Sequence, residues 1–439
     1  MWTYHPELLG RPVPRYTSYP TAAEFHDGIS EADMAAAIDA VPEEAPLSLY
    51  LHIPYCKEIC WYCGCNTGAA NRGGRLTAYL EALETEIDLI ADRLAGRGRV
   101  RRIAFGGGSP NAIAPWRFVH LVETLERRLG VGDATLSIEL DPRTLDRAWL
   151  DAIAGLGVAS ASLGVQTFAP QVQAAIGRIQ PAEMIERATD GLRMAGVRSI
   201  NFDLMYGLPH QGVAELDDSL TRTIALGADR IAVFGYAHLP KLLPRQRRID
   251  DADLPDLRTR FDQSAYAHDR LAGAGYRAIG FDHFAQPGDP LAQAAAEGRL
   301  RRNFQGFTDD DCDYLIGMGA SAISQFPGLI AQNEKMAGRY RMLAFSGRLP
   351  ARRGIMRSAD DRRRGRIIEQ LLCQGSADLG ADMVAQVQGA LAQAEAAGLA
   401  RFAGNRLELT VQGLPYARTI ASAIDAYRDI STGGFSRAV

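Results

Sequence analysis

The sequence predicts an α/β fold: a full or partial (β/α) barrel with an N-terminal arm and a small, mainly helical C-terminal domain. Two observations carry this. Between Ser48 and Ala285, short β-rich runs alternate with longer segments of helical periodicity, the pattern of a parallel sheet built from βα units. The 439 residues are enough for one such barrel with additions, or for roughly three ordinary domains. An apolar fraction of 47% and a charged fraction of 23% exclude collagen-like, disordered and disulfide-scaffold classes.

The expected strands, in order, are 48–54, 101–107, 136–142, 160–166, 199–209, 230–240 and 276–284, each rich in β-branched or aromatic residues and bounded by turn residues. Between them, segments such as 76–94 and 181–196 carry apolar residues at helical spacing. Residues 1–45 form an arm that is too polar and proline-punctuated to be a core element and is expected to wrap over the barrel mouth. Residues 46–348 form the barrel. After Leu349 the composition turns Arg-rich, with helical patterns at 365–374 and 381–398, a short strand near 407–409 and a last helix at 416–428, so 349–439 reads as a separate domain. Its Arg run is expected to be a solvated face.

Several expected strands end in polar or glycine-rich tips: Gly106-Gly107-Gly108-Ser109, Glu139-Leu140-Asp141, Gln166, Asp203 and His238. In βα barrels the loops at the C-terminal ends of the strands carry the active site. Any one tip alone could be a turn or a helix cap, but their recurrence on successive strands points to one shared mouth.

A net charge of −4 argues against a nucleic-acid backbone or an anionic membrane as main partner. Lys57, Lys241 and Lys335 are the only lysines, so the positive charge is almost entirely arginine, whose planar fork suits carboxylates. No 18-residue apolar window and no signal-peptide pattern is found, and the expectation is a soluble, cytoplasmic monomer.

Four of the six cysteines, Cys56, Cys60, Cys63 and Cys65, lie within ten residues just after the first expected strand, whereas Cys312 and Cys373 are isolated and read as packed thiols. Structural zinc usually draws pairs of ligands from two separated knuckles, and no second pair exists here. An iron-sulfur cluster on one loop fits better. Cys65 is the candidate fourth ligand, although its position two residues from Cys63 would strain the loop. If only three cysteines bind, one iron stays open for chemistry.

The segment Cys56-Lys57-Glu58-Ile59-Cys60-Trp61-Tyr62-Cys63 resembles the cluster loop of radical S-adenosylmethionine (SAM) enzymes. More narrowly, RYTSYPT (15–21), 49–66, GGGSP (106–110), IELDP (138–142), LGVQTF (163–168), DLMYGLP (203–209), YAHLP (236–240), RNFQGF (302–307), MGASAIS (318–324) and FSRAV (435–439) resemble the oxygen-independent coproporphyrinogen III oxidases. The resemblance implies a [4Fe-4S] cluster on Cys56, Cys60 and Cys63 with Tyr62 beside it, and an extra, non-ligating Cys65 with a role in turnover. It implies two SAM molecules, contacted by Tyr50, Gly106, Gly107, Gly108, Ser109, Glu139, Gln166, Arg178 and Asp203. Ala237 and Ile323 would supply wall or backbone contacts, and Gln305 would lie near the second SAM or the substrate. Arg178, Asp203, Gln305 and Cys65 are the implied catalytic set.

The implied reaction is decarboxylation of two propionates of coproporphyrinogen III to vinyls, giving protoporphyrinogen IX. It starts from a 5′-deoxyadenosyl radical, and a small redox protein or another reductant supplies electrons. Arg15, Arg301 and Arg302 are candidate partners for the substrate carboxylates. Where the family commonly has Asn before Arg178, this chain has Gly177, a change expected to loosen the hold on Arg178. Competing readings are another radical SAM tetrapyrrole enzyme or methyltransferase, a haem-binding chaperone, and a zinc-stabilised scaffold.

Overall fold

The computed structural model describes residues 2–70 and 73–428; the 435–439 motif lies outside them. Six strands, β1 (Pro46–Ile53), β2 (Arg99–Gly107), β3 (Thr135–Leu140), β4 (Ser160–Gln166), β5 (Ser199–Tyr206) and β6 (Arg230–Gly235), lie side by side in chain order, all parallel. The sheet is completed by β7 (Arg277–Ile279), β8 (His283–Ala285), β9 (Tyr314–Met318), β10 (Ile323–Gln325), β11 (Leu329–Asn333) and β12 (Ala351–Met356). Its order is β12-β11-β10-β9-β1-β2-β3-β4-β5-β6-β8-β7. The sheet has two edges, so the barrel is a partial one.

The strand expected at 276–284 is instead two short antiparallel strands, β7 and β8. Apolar patterning located the segment, but the turn at 280–282 reverses it against β6. On the other flank β9 joins β1 in parallel, and β10 to β12 continue antiparallel.

Inner and outer faces follow the two-residue period of a strand. Along β4 the odd positions Ala161, Leu163 and Val165 are buried, while Ser160, Ser162, Gly164 and Gln166 are half-buried. In β5 the half-buried positions are Asn201, Asp203 and Met205. The buried set packs under the helices, and the half-buried set, small or polar except for Met205, is left to line the mouth.

Helix Gly73–Leu94 carries one carboxylate into this core. Glu86 is 1% exposed and accepts hydrogen bonds from the Gly319 amide at 2.7 Å, Asn333 Nδ2 at 2.7 Å and the Tyr340 hydroxyl at 2.6 Å. It thereby ties the helix to the β9–β11 flank. Burial outweighs these donors and pushes its carboxyl up to about 7.

The arm departs from expectation, because its aromatic residues enter the core. Val13, Tyr16 and Tyr19 are buried, and the Tyr16 hydroxyl donates to Asp425 Oδ2 at 3.0 Å while the Tyr19 hydroxyl accepts from the Ala426 amide at 2.9 Å. One continuous apolar cluster runs from Leu8 to Ile424. The Arg-rich segment after 349 also differs: its first half is β12, hydrogen-bonded to β11, so the main sheet extends beyond the expected boundary. Helices Ala359–Gln374 and Ala381–Ala396 follow, with a three-stranded sheet of Ser376–Asp378, Arg406–Leu409 and Ala400–Ala403. The expected last helix is a 3₁₀ segment, Val411–Tyr416, running into a short helix, Ala417–Ala421. Pro415 shapes that start.

A carboxyl whose folded pKa is raised supports the fold below its usual pKa and loses that support as pH rises through about 7. For Glu86 the loss amounts to roughly 3 kcal/mol. Glu86→Gln keeps the acceptor oxygen without the charge, so its urea midpoint should rise relative to wild type between pH 5 and pH 8. A midpoint difference that stays constant across that range would sink this account.

Candidate active site

At the C-terminal ends of β1 to β6 lies a cavity of about 600 Å³. Cys56, Cys60, Cys63 and Cys65 face it from the loop after β1, and the tips of β2 to β6 supply the other walls. The loop is closed at its base, where Tyr55–Cys56 pairs in parallel with Gly68–Ala69. Its tip is anchored to other elements: the Trp61 amide donates to the Ile176 carbonyl at 2.9 Å, and Gln246 Nε2 donates to the Tyr62 carbonyl at 2.8 Å. Trp61 and Tyr62 pack on a satellite core of Ala169, Val172, Ile176, Leu208, Tyr236 and Ile249.

Arg178 organises the floor. Its guanidinium, nearly fully buried, donates to both carboxylate oxygens of Asp141 (3.4 and 3.2 Å), the Gly164 carbonyl (3.1 and 2.6 Å), Gln180 Oε1 (3.0 Å) and Cys60 Sγ (3.3 Å). Arg143 completes the group, bonding Asp141 Oδ2 at 2.6 Å and Cys60 Sγ at 3.4 Å. Burial opposes ionisation of Asp141, yet Arg178 and Arg143 hold its carboxyl below the usual range. Two guanidiniums thus meet at the Cys60 sulfur. Burial pushes the Cys56 thiol up to about 12, whereas the contact with Cys65 holds Cys63 low and raises Cys65 itself.

The expected departure at Gly177 is corrected by this geometry. Arg178 is held by Asp141, Gly164 and Gln180, so no preceding amide is needed to aim it. Gly177 has φ +63°, and a Cβ there would meet the Trp61 ring at 2.7 Å; the missing side chain is what lets the cysteine loop dock.

Glu139 and Asp203 face the cavity from β3 and β5. Burial pushes the Glu139 carboxyl up to about 7, and its Oε2 accepts the Gly107 amide at 3.1 Å. Asp203 is also raised by burial, and accepts from Ser162 Oγ at 2.9 Å and Asn201 Nδ2 at 2.8 Å. Gln166 caps β4 at φ +68°, a left-handed conformation unusual for its residue type. Gly107, Gly108, Ser109 and Ala237 also line the cavity. The glycine run has a packing reason as well: a Cβ would meet the Glu139 carboxylate at Gly106, the His52 ring at Gly107 and the Tyr55 backbone at Gly108. The Ser109 hydroxyl is turned inward onto Asn111 Oδ1, whose amide in turn donates to the Asp141 carbonyl at 2.8 Å.

Other expected residues lie apart. Tyr50, Gly106, Gln305 and Ile323 are not among the lining residues. Tyr50 is buried on β1, its hydroxyl 3.3 Å from His52 Nδ1. Gln305 sits at the exposed tip of the 301–308 hairpin, whose Phe304 packs edge-on against Tyr50 at 4.6 Å. Ile323 packs beside Phe25, Ile330 and Ile355. Of the three arginines expected to meet substrate, Arg15 lines the cavity. Arg301 is instead paired with Glu369 and Asp313, and the buried Arg302 bonds the Arg15 carbonyl. Sequence reasoning passed over Arg143 and Asn111 as site residues and noted Asp141 only as a strand tip. The Asp-Pro-Arg run at 141–143 was the available signal.

The donor set fits an iron-sulfur cluster better than a single ion. Among the described residues, three metal-ligating side chains come within 4.8 Å of one another only at Asp310, Asp311 and Cys312. Cys56, Cys60 and Cys63 all face one cavity from a single short loop, the donor chemistry of a thiolate-held cluster rather than of a zinc site drawn from two separated knuckles. The radical SAM superfamily profile matches residues 50–222. The chain is 43% identical over 437 residues to the oxygen-independent coproporphyrinogen III oxidase of Bradyrhizobium diazoefficiens, covering 97% of each chain.

The chain belongs to the oxygen-independent coproporphyrinogen III oxidase family. A second member, from Pseudomonas aeruginosa, is 38% identical, with 97% of this chain and 96% of that protein covered. The solved coproporphyrinogen III oxidase of Escherichia coli, a radical SAM enzyme, superposes with a TM-score of 0.90 at 37% identity, covering 97% of this chain and all of that one. The family fold thus includes the arm and the C-terminal segment as well as the sheet.

Restoring the family's Asn at this position is expected to do harm. Asn tolerates a left-handed backbone, but the Trp61 ring must shift to admit its Cβ. Gly177→Asn should therefore lower the iron retained after anaerobic reconstitution, while Gly196→Asn, where nothing stands within 4 Å, should retain wild-type iron. Full iron retention in Gly177→Asn would refute the docking role.

Proposed function

We propose that the chain catalyses the oxygen-independent decarboxylation of coproporphyrinogen III to protoporphyrinogen IX. The observation that carries the reading is the convergence of Cys56, Cys60 and Cys63 with the Arg178–Asp141 pair at the mouth of the parallel strands. In this proposal the three thiolates hold a [4Fe-4S] cluster, and Glu139, Gln166 and Asp203 orient SAM. The cluster and SAM, when bound, supply the one-electron chemistry that removes a hydrogen atom from the substrate. A second SAM is assigned to the Tyr50, Phe304 and Gln305 side of β1. No helix among the described residues is long and apolar enough to cross a membrane.

The chain's own residues position and shield. Arg178 and Arg143 hold the Cys60 sulfur in place by hydrogen bonds from two sides. Asp203, braced by Ser162 and Asn201, offers a fixed acceptor for an ammonium or ribose hydroxyl. For each propionate the balance would be loss of CO₂, of one hydrogen atom to the 5′-deoxyadenosyl radical and of one electron to an external one-electron acceptor, leaving a vinyl group. A small redox protein or another reductant is the proposed electron source.

Three outcomes test this. Cys→Ala at Cys56, Cys60 or Cys63 should abolish both cluster iron and reductive SAM cleavage, and activity retained in any of the three would overturn its ligand role. Cys65→Ala should keep the iron while losing turnover; loss of iron would make it a ligand. Anaerobic turnover with dithionite, SAM and coproporphyrinogen III should yield protoporphyrinogen IX in step with 5′-deoxyadenosine. A protein that binds haem tightly but never decarboxylates would favour the chaperone reading.

A further inference from the structure

The cysteine loop has an outer side as well as the side that faces the cavity, and the outer side is ringed by cations. Lys57 directly follows the first cysteine. Lys241, Arg247 and Arg248 come from the segment after β6, which carries no acid from Gly235 to Ile249. That segment is fastened to the loop by Gln246 on the Tyr62 carbonyl and by Arg245 on Thr67 Oγ1 at 2.9 Å. Lys335 follows β11, which runs in the same direction as β1, and its carbonyl accepts from Asn66 Nδ2 at 3.1 Å. Lys57, Lys241, Arg247, Arg248 and Lys335 are all exposed, none lines the cavity, and none has an ion-pair partner among the described residues. Arg247 Nε reaches only the Pro240 carbonyl, at 3.3 Å, and Arg248 lies over the Trp61 ring at 5.4 Å. The bordering acids are tied elsewhere: Glu58 to Arg143 at 2.8 Å, Asp251 to His238 at 2.6 Å, and Asp250 to the Ala252 amide at 3.0 Å.

We propose that this outer face is the docking surface of a small, acidic one-electron carrier protein, which reduces the cluster through the loop that holds it. The inference rests on the proposed activity, and adds to it where the electron donor docks and what charge that donor carries. In the transfer the carrier is oxidised by one electron and the cluster gains it; no bond forms or breaks and no proton moves. Unpaired cations on a chain of net charge −4 select a partner of opposite sign and speed its encounter. In a chain that otherwise uses arginine throughout, all three lysines border this one loop. An ammonium is a hydrated charge on a flexible stem without a planar fork, so it attracts an acidic surface without locking it, as a carrier that must leave after each electron requires. Leu242, beside Lys241, and Ile179, two residues beyond Gly177 and the Trp61 ring, are more than half exposed and supply the apolar contact that a charged rim surrounds.

The test uses the cluster-reconstituted protein and, as probe, a flavodoxin of net negative charge, with binding followed by biolayer interferometry. Wild-type affinity should fall as salt is raised, through the association rate. Lys241→Glu/Arg247→Glu should weaken binding roughly tenfold at low salt. Arg101→Glu/Arg198→Glu makes the same change of charge at exposed positions by the N-terminal ends of β2 and β5, the far end of the barrel, and should bind like wild type. Reduced flavodoxin should bleach the cluster's visible absorbance more slowly in the first double variant, whereas 5-deazariboflavin, a small neutral photoreductant, should reduce all three proteins alike. Absence of binding by wild type, binding that ignores salt, or equal weakening in both double variants overturns the docking face. Turnover of coproporphyrinogen III with deazariboflavin separates the two readings. If it proceeds while the binding comparison fails, the docking face alone is wrong; if wild type shows no turnover with either reductant, the proposed activity fails.

Discussion

A buried guanidinium must be paired, and the architecture of the site follows from how Arg178 meets that demand. Breaking such a pair typically costs about 3–5 kcal/mol, because a charge is left without water or partner. Arg178 is paired with Asp141 at the tip of β3, with the Gly164 carbonyl on β4, and with the Cys60 sulfur on the loop after β1. One side chain therefore sets the relative positions of three strand ends. Asn111, held by Ser109, fixes the Asp141 backbone in turn, so the glycine-rich tip of β2 joins the same network.

That network works because the sheet leaves room for it. Apart from Met205, the inner positions of β4 and β5 are small or polar, and the outer positions are apolar. The same alternation builds the core on one face and an open mouth on the other. Glu139 and Asp203 stay in this partly dry space with their carboxyls raised by burial, each satisfied by donors from its own neighbourhood. Cations or hydroxyl donors presented there meet acceptors that need little reorganisation.

The arm and the C-terminal segment close the molecule by sharing one apolar cluster with the barrel. Buried Tyr16 and Tyr19 are the keys: each ring is apolar bulk and each hydroxyl finds a partner near Asp425. Val13 and Arg15, a few residues earlier in the chain, are thereby brought to the wall of the cysteine-lined cavity. The packing of the arm and the lining of the site are two results of one docking event.

Local pattern determined a large part of this protein. The cysteine spacing at 56–65, the polar strand tips and the period-two strands are short-range signals, and they placed β1 to β6 and most of the cavity wall correctly. Three things were decided only in the folded chain. The segment 276–284 reads as one strand, but its pairing partner turns it into two. The arm reads as a segment too polar and proline-punctuated for the core, one that wraps over the mouth, yet its tyrosines complete a core contributed from four hundred residues away. The partners of Arg178 (Asp141, Gly164 and Cys60) and the Arg143 contact with Cys60 come from other strands and loops, and a charge's partner is a property of space rather than of neighbouring sequence. Gly177 shows the same division: as a letter it suggested a loosened loop, and only the position of Trp61 made it the residue that lets the loop seat.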